Sequence, residues 1–507
     1  MRLLYHTTLY FGNDIGDHMK RKSIALLMLL CLALSLTGQA LAADIPAVKE
    51  PVTNFTPLDT TPAAEIFNSP VGSALLIELN SGTTLYALNP TEQRFPASLT
   101  KVMTAYLTLK YGNLDDQVTV SETALQNLHE DGSSAGLVAG EVLPLRDLLY
   151  CIMVASANEA CNAIAEYISG SVEAFVQLMN DEAQALGCTG THFANPHGLH
   201  DENHYTTAAD LALIVQAAME NATFREIANT PHYTVPATNM SEERELYTTN
   251  QLISTSANSG YRYSKAAGIK TGFTTPAGRC LISTANNDNL QFLGIIMDAA
   301  TVGNEDTGTW DQRSFPEFIN MCEYFFERYQ YTTVLTTLYP VAELPVNQSA
   351  GAQTVALAPV EELKSLVSVD FDPEDITLDI QHDRESVDAP VEAGTVLGSV
   401  TVSLSGQVVG TVDLAAITSV ARSEITHRAE ETREYVEDNW WKWLVGILLL
   451  IVVLIVFCYF LMQFYRRRER KRKVAARRQA LEMRRRQERL REMVPPDWED
   501  TEDIGKE

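Results

Sequence analysis

Between residues 72 and 90 the chain reads GSALLIELNSGTTLYALNP, two apolar runs separated by Asn80-Ser81-Gly82, which predicts a β-hairpin. From Pro96 to about Glu226 the apolar positions shift to helical spacing. Leu145, Leu148, Leu149, Ile152 and Met153 fall on one helix face, as do Leu211, Ile214, Val215 and Ala218. Pro96 pre-sets the start of one such helix. Strand patterns return at 266–274, 279–285 and 290–299, and a helix is expected from Phe315 to Tyr329. Strands at both ends of a helical middle predict an α/β (α+β) domain over 66–330 whose sheet draws on both ends of the segment. From 331 to 422 the pattern is short β runs, with a hairpin turn at Ser405-Gly406, which predicts a small all-β domain serving as a spacer.

The flanks follow other patterns. Met19-Lys20-Arg21-Lys22, an apolar run and Ala40-Leu41-Ala42 read as a secretory signal over 1–43, with Met19 an alternative start. Residues 44–65, rich in Pro, Thr and Ala, read as a flexible leader, and 423–443 as a charged juxtamembrane segment. Leu444–Tyr465 is a run of 22 residues without a charge, enough to span a bilayer as one helix. Trp440, Trp441 and Trp443 precede it and RRRERKRK follows, so the positive-inside rule places the tail 466–507 in the cytoplasm and 44–443 outside.

Charge agrees with a chain divided between compartments. Within the formal net charge of −27, residues 44–465 carry −34 and residues 466–491 carry +11. The basic stretch suits the anionic inner leaflet better than nucleic acid. Cys151, Cys161, Cys188, Cys280 and Cys322 lack metal-type spacing and read mainly as small buried hydrophobes, one disulfide among them staying open. No motif for a metal or cofactor stands out, and none is expected.

RFPASLTKVMTAYL places Ser98 and Lys101 three residues apart, on one helix face. A neutral lysine amine beside a serine hydroxyl removes its proton and makes it a nucleophile; a helix cap with a surface lysine is the plainer alternative. Apolar neighbours Val102, Met103, Tyr106 and Leu107 supply the burial that a depressed lysine pKa needs. Downstream, VASANEACN offers Ser156 and Asn158 at the end of an apolar helix, and GIKTGFT offers Lys270-Thr271-Gly272 on a strand. A Ser–Lys pair, a Ser-x-Asn and a Lys-Thr-Gly in that order form the motif set of penicillin-binding proteins and serine β-lactamases, and chance rarely assembles all three.

On these motifs, with NPHGLHDENHYTTAADLALI and more loosely the β segment 389–417, the chain resembles the serine-type D-alanyl-D-alanine carboxypeptidases, the low-molecular-mass penicillin-binding proteins, from about residue 65 to 420. The resemblance implies a serine DD-peptidase/β-lactamase-like catalytic domain. It implies Ser98 as the acylated nucleophile, Lys101 as its base and Ser156 as a proton relay. Asn158 would hold the substrate backbone, Lys270 would add positive charge and Thr271 would take the terminal carboxylate. Gly272 lets the ligand approach the strand, the backbone N–H groups of Ser98 and Phe273 form the oxyanion hole, and Arg313 is similar to the family's carboxylate-binding arginine. The implied substrate is a peptidoglycan stem peptide ending in D-Ala-D-Ala, with β-lactams as acylating inhibitors. DD-endopeptidase, β-lactamase and an inactive β-lactam sensor are the alternatives.

Two details bear on these. The middle motif is Ser-Ala-Asn and not Ser-Asp-Asn, and no Glu-x-x-Leu-Asn lies between Asn158 and Lys270. Both argue against efficient β-lactam hydrolysis and for Lys101 acting in deacylation. Ser256-Ala257-Asn258 repeats Ser-x-Asn in a polar loop and reads as a turn, and His197 reads as a loop anchor.

Overall fold

The computed structural model describes residues 43–48, 51–126, 128, 132–256, 259–304, 309–404 and 406–491. The expected signal therefore lies outside the described residues, apart from Ala43. Most of the remainder falls into two compact units. The first runs to Thr336 and takes in 362–378 and 402–410; the second holds 337–361, 379–401 and 411 onward.

The core of the first unit is a five-stranded antiparallel sheet. Its strands are β1 (Val71–Glu78), β2 (Thr83–Leu88), β3 (Ala266–Thr274), β4 (Gly278–Asn286) and β5 (Gln291–Ala299), in the order β2-β1-β5-β4-β3. Both expected ends of the segment thus meet at β1, whose Leu75 lies opposite Ile295 of β5. The unbroken apolar run Ala74–Ile77 follows from burial on both faces. Leu75 and Ile77 join one core with Val102, Leu148 and Ile214, while Ala74 and Leu76 join another with Phe315, Phe318 and Phe325.

Helices cover both faces. Those on the first core include α1 (Lys101–Tyr111), α2 (Leu145–Met153), α3 (Asn158–Ser169), α4 (Val172–Ala185) and α5 (Ala208–Met219); α6 (Ser314–Arg328) covers the other face. Helix α5 is apolar on nearly every side and is buried accordingly.

Two expectations change. The segment 44–65 is not a free leader. Ile45, Val48 and Val52 are buried, Gln216 accepts from Val52 N–H (2.7 Å) and donates to Val52 C=O, and Asn229 donates to Ala43 C=O. Three buried anchors dock it, and its Pro/Thr composition conceals them.

The boundary at 330/331 also falls inside a paired ribbon. Strand β6 (Tyr329–Leu335) is antiparallel to Leu363–Ser368, with Tyr331 opposite Leu366. Pairing across some thirty residues leaves no local sequence signal. The second unit joins β strands, including the antiparallel pair Ala342–Asn347 and Thr354–Pro359, to one long helix. The helix α7 (Glu424–Arg491) carries the apolar run Leu444–Tyr465, which spans roughly 33 Å at 1.5 Å per residue and is long enough to cross a membrane.

Cys151, Cys161, Cys188, Cys280 and Cys322 are buried free thiols, so among the described residues no disulfide forms.

Candidate active site

The Ser98 turn differs from the simple helix start expected of it. Pro96 caps a 3-10 turn over Ala97–Thr100, and α1 begins only at Lys101. Ala97 has φ +47°, a left-handed conformation that non-glycine residues rarely adopt. Its surroundings fix it there. Thr100 Oγ1 donates to Ala97 C=O (2.8 Å) and lies 2.7 Å from His204 Nε2, while His204 Nδ1 accepts from Ala194 N–H. Gly198 presses on the same carbonyl, so closely that a Cβ there would sit 1.9 Å from Ala97 O. Strain held by several contacts at one turn is characteristic of functional sites.

Lys101, on the first residue of α1, is fully buried. Its Nζ donates to Ser98 Oγ (2.9 Å), Asn158 Oδ1 (2.8 Å) and His197 C=O (2.7 Å). Three acceptors saturate the three N–H bonds of an ammonium, one of them being the candidate nucleophile. Burial pulls the Lys101 pKa down to about 8, while Cys161 and Glu159 oppose the shift. Glu159 is itself buried, accepting from Ser134 Oγ (2.6 Å) and Ala135 N–H (2.7 Å).

Ser156 lies between α2 and α3, also at positive φ (+61°), and its Oγ accepts from Lys270 Nζ (3.1 Å). Lys270 is buried too and also donates to Thr271 C=O (3.0 Å). Burial and the Lys101 charge push its pKa well below the ordinary lysine value. His197 is a loop anchor: its carbonyl holds Lys101, its Nδ1 accepts from Leu199 N–H, and burial lowers its pKa to about 3.

Lys270, Thr271 and Gly272 lie on β3, the edge strand, one side of which has no sheet neighbour among the described residues. Gly272 lets that strand approach the Ser98 turn: a Cβ would stand 3.0 Å from Pro96 O and 3.1 Å from Ser98 N. The strand borders an open cleft of about 1000 Å³ lined by Ser98, Ser156, Asn158, Thr271, Gly272 and Phe273 among others. Seven of the nine expected residues, Ser98, Lys101, Ser156, Asn158, Lys270, Thr271 and Gly272, therefore meet in one place, with Phe273 on the rim.

Arg313 stands apart. Its neighbours Gln312 and Ser314 line the cleft, whereas Arg313 caps α6 with its Nε 3.2 Å from Asp311 Oδ2, an ion pair lacking hydrogen-bond alignment. Sequence reasoning missed Thr249, whose Oγ1 is 2.6 Å from Thr271 Oγ1, together with Glu159, His204 and Arg279. Glu159 directly follows the Ser-x-Asn motif and His204 lies within NPHGLHDENHYTTAADLALI, signals within reach; Thr249 and Arg279 come from segments without a motif. Ser256 lies outside the cleft lining, and the rest of that repeat lies outside the described residues.

A serine held against a buried lysine, beside an edge strand able to pair with an extended peptide, defines a serine acyl-transfer site on an α+β fold. Residues 60–301 match the family model for D-alanyl-D-alanine carboxypeptidases, and 329–422 match that for the C-terminal domain of penicillin-binding protein 5. D-alanyl-D-alanine carboxypeptidase DacF of Bacillus subtilis is 30% identical over 350 residues, covering 68% of this chain and 84% of that protein. DacA of Escherichia coli K12 is 33% identical over 259 residues, covering 48% of this chain and 61% of that protein. The crystal structure of penicillin-binding protein 5 from Haemophilus influenzae superposes with a TM-score of 0.50 at 26% identity, covering 72% of this chain and all of that one. The chain belongs to the D-alanyl-D-alanine carboxypeptidase family.

Proposed function

We propose that the chain removes the terminal D-Ala from peptidoglycan stem peptides through an acyl-enzyme on Ser98. The observation that carries this reading is Lys101 Nζ at 2.9 Å from Ser98 Oγ, buried and with its pKa lowered to about 8. Neutral Lys101 takes the Ser98 proton as Oγ attacks the carbonyl of the penultimate D-Ala. The N–H groups of Ser98 and Phe273 stabilise the oxyanion, a pairing supported by the close approach of Gly272 to Ser98 N. The departing D-Ala amine takes its proton through the Ser156 hydroxyl, which Lys270 orients. Asn158 Oδ1 serves Lys101, which assigns its Nδ2 hydrogens to the peptide backbone. The substrate carboxylate docks at Lys270 and Thr271, where its charge favours the Lys270 ammonium that burial opposes. Water, deprotonated by Lys101, then hydrolyses the ester.

Penicillin, a strained amide bearing a carboxylate, acylates the same serine. The anchor helix holds the catalytic unit on the outer side of the cytoplasmic membrane and the basic tail inside. The division 44–65, 66–330, 331–422 is retained as functional parts, with the first docked as described.

Incubation of the full-length protein with a pentapeptide ending in D-Ala-D-Ala is expected to release one D-Ala per peptide, and Ser98→Ala to abolish release and penicillin labelling. A fully active Ser98→Ala would overturn the assignment. Protease added outside intact cells is expected to spare the tail; its digestion would reverse the orientation.

A further inference from the structure

The cleft has a cation that neither the motifs nor the proposed mechanism uses. Arg279, on β4, lines the cleft directly across the ladder from Phe273. Its guanidinium lies 3.8 Å from the centre of the Phe273 ring, and that ring is 46% exposed. Arginine Nε donates to Thr301 Oγ1 (3.2 Å), which fixes the plane and leaves the Nη hydrogens for other acceptors. Among the described residues no carboxylate forms an ion pair with Arg279, whereas Arg313 is held by Asp311. Thr271 and Phe273 are two apart on one strand and share a face, with Thr271 roughly 7 Å along the rise, about one arginine side-chain length. A half-buried guanidinium stacked on an aromatic ring, at the edge of a cleft and without an acid among the described residues, is a preformed receptor for a planar anion.

We propose that Arg279, braced by Phe273, receives the C-terminal carboxylate of the substrate together with Thr271, the role that Arg313 was expected to fill. The inference rests on the carboxypeptidase reading for its substrate. Bidentate capture at Arg279 sets the register of the peptide along β3 and selects chains that end in a free carboxylate one residue beyond the attacked carbonyl.

The test compares an N-acylated peptide ending in D-Ala-D-Ala with its C-terminal amide, using full-length wild type, R279Q, R279K and R313Q in detergent. R279Q is expected to lower kcat/KM on the acid by about 10- to 100-fold, as loss of a charged hydrogen-bond pair implies, chiefly through KM. Turnover of the amide is expected to stay within about twofold, and R279K to restore part of the preference for the acid. Equal loss on acid and amide, or an undiminished acid preference in R279Q, overturns the proposal. So does an acid preference lost in R313Q and kept in R279Q. A wild type that turns over neither peptide overturns the carboxypeptidase reading alone. Acylation by penicillin against its methyl ester then decides Arg279: a preference for the acid that R279Q abolishes supports it, and one that R279Q keeps overturns it. A wild type acylated by neither overturns both.

Discussion

The buried base makes the rate of Ser98 acylation a function of pH whose shape follows from the structure. With the Lys101 pKa near 8, roughly one molecule in ten carries the neutral amine at pH 7, half at pH 8 and about nine in ten at pH 9. Penicillin acylation is therefore expected to rise about ninefold from pH 7 to 9 and then level off. Glu159 favours the ammonium, so Glu159→Gln shifts the midpoint below 8 and raises the rate at pH 7. The ceiling on that gain is about tenfold, reached when every Lys101 is neutral at pH 7. Glutamine keeps an oxygen to accept from Ala135 N–H, so the loop over the cleft stays anchored. The assay is the second-order rate of labelling by a fluorescent penicillin from pH 6 to 10, with intact mass confirming one adduct. A wild-type midpoint near 10.5 would refute the reasoning, as would a folded E159Q whose midpoint stays or moves upward.

Three further outcomes follow from the same geometry. Below pH 8 the native state holds a buried ammonium that the unfolded chain solvates. Lys101→Met relieves up to about 3 kcal/mol, part of it offset by Asn158 Oδ1 and His197 C=O losing their donor. Because the folded pKa lies below the unfolded one, wild type gains relative stability from pH 8 to 10.5. Denaturant midpoints for variant and wild type should therefore shift in favour of wild type across that window; a gap independent of pH contradicts the buried charge. Gly198→Ala, at φ +89° and against Ala97 O, is expected to cost about 2 kcal/mol or more and slow acylation at least tenfold; an unaffected rate would show that the Ala97 turn is not held by that contact. Ile45→Ala should cost about 2 kcal/mol by thermal denaturation if the 44–65 segment is docked, and nothing if it is free.

Much of the fold was legible because both faces of the sheet are covered. The runs at 266–274 and 290–299 read as strands and occur as Ala266–Thr274 and Gln291–Ala299, and the helix expected over 315–329 occurs as Ser314–Arg328. What escaped was decided at long range. The pairing of Tyr329–Leu335 with Leu363–Ser368 and the docking of Ile45, Val48 and Val52 depend on partners far along the chain. At the site, Ser98, Lys101, Ser156 and Lys270 were readable because their chemistry needs fixed residue types at fixed spacings. The left-handed Ala97, the His204–Thr100 brace and the Arg279–Phe273 stack were not, since each arises where two separate loops or strands meet.

The five buried thiols give the catalytic unit an internal clock. Burial pushes Cys161, Cys188 and Cys280 up to about 12 and raises Cys151 and Cys322 as well, so at neutral pH none offers a thiolate to an alkylating reagent while the fold is closed. Modification must then wait for an opening event, and the order in which the sulfurs react traces the order in which parts of the unit come apart. Cys280 sits on the wall of the cleft, opposite Gly272, so its lag reports the site itself. A β-lactam esterified to Ser98 lengthens that lag if it braces the edge strand, and the native cysteines serve as the only label the measurement needs.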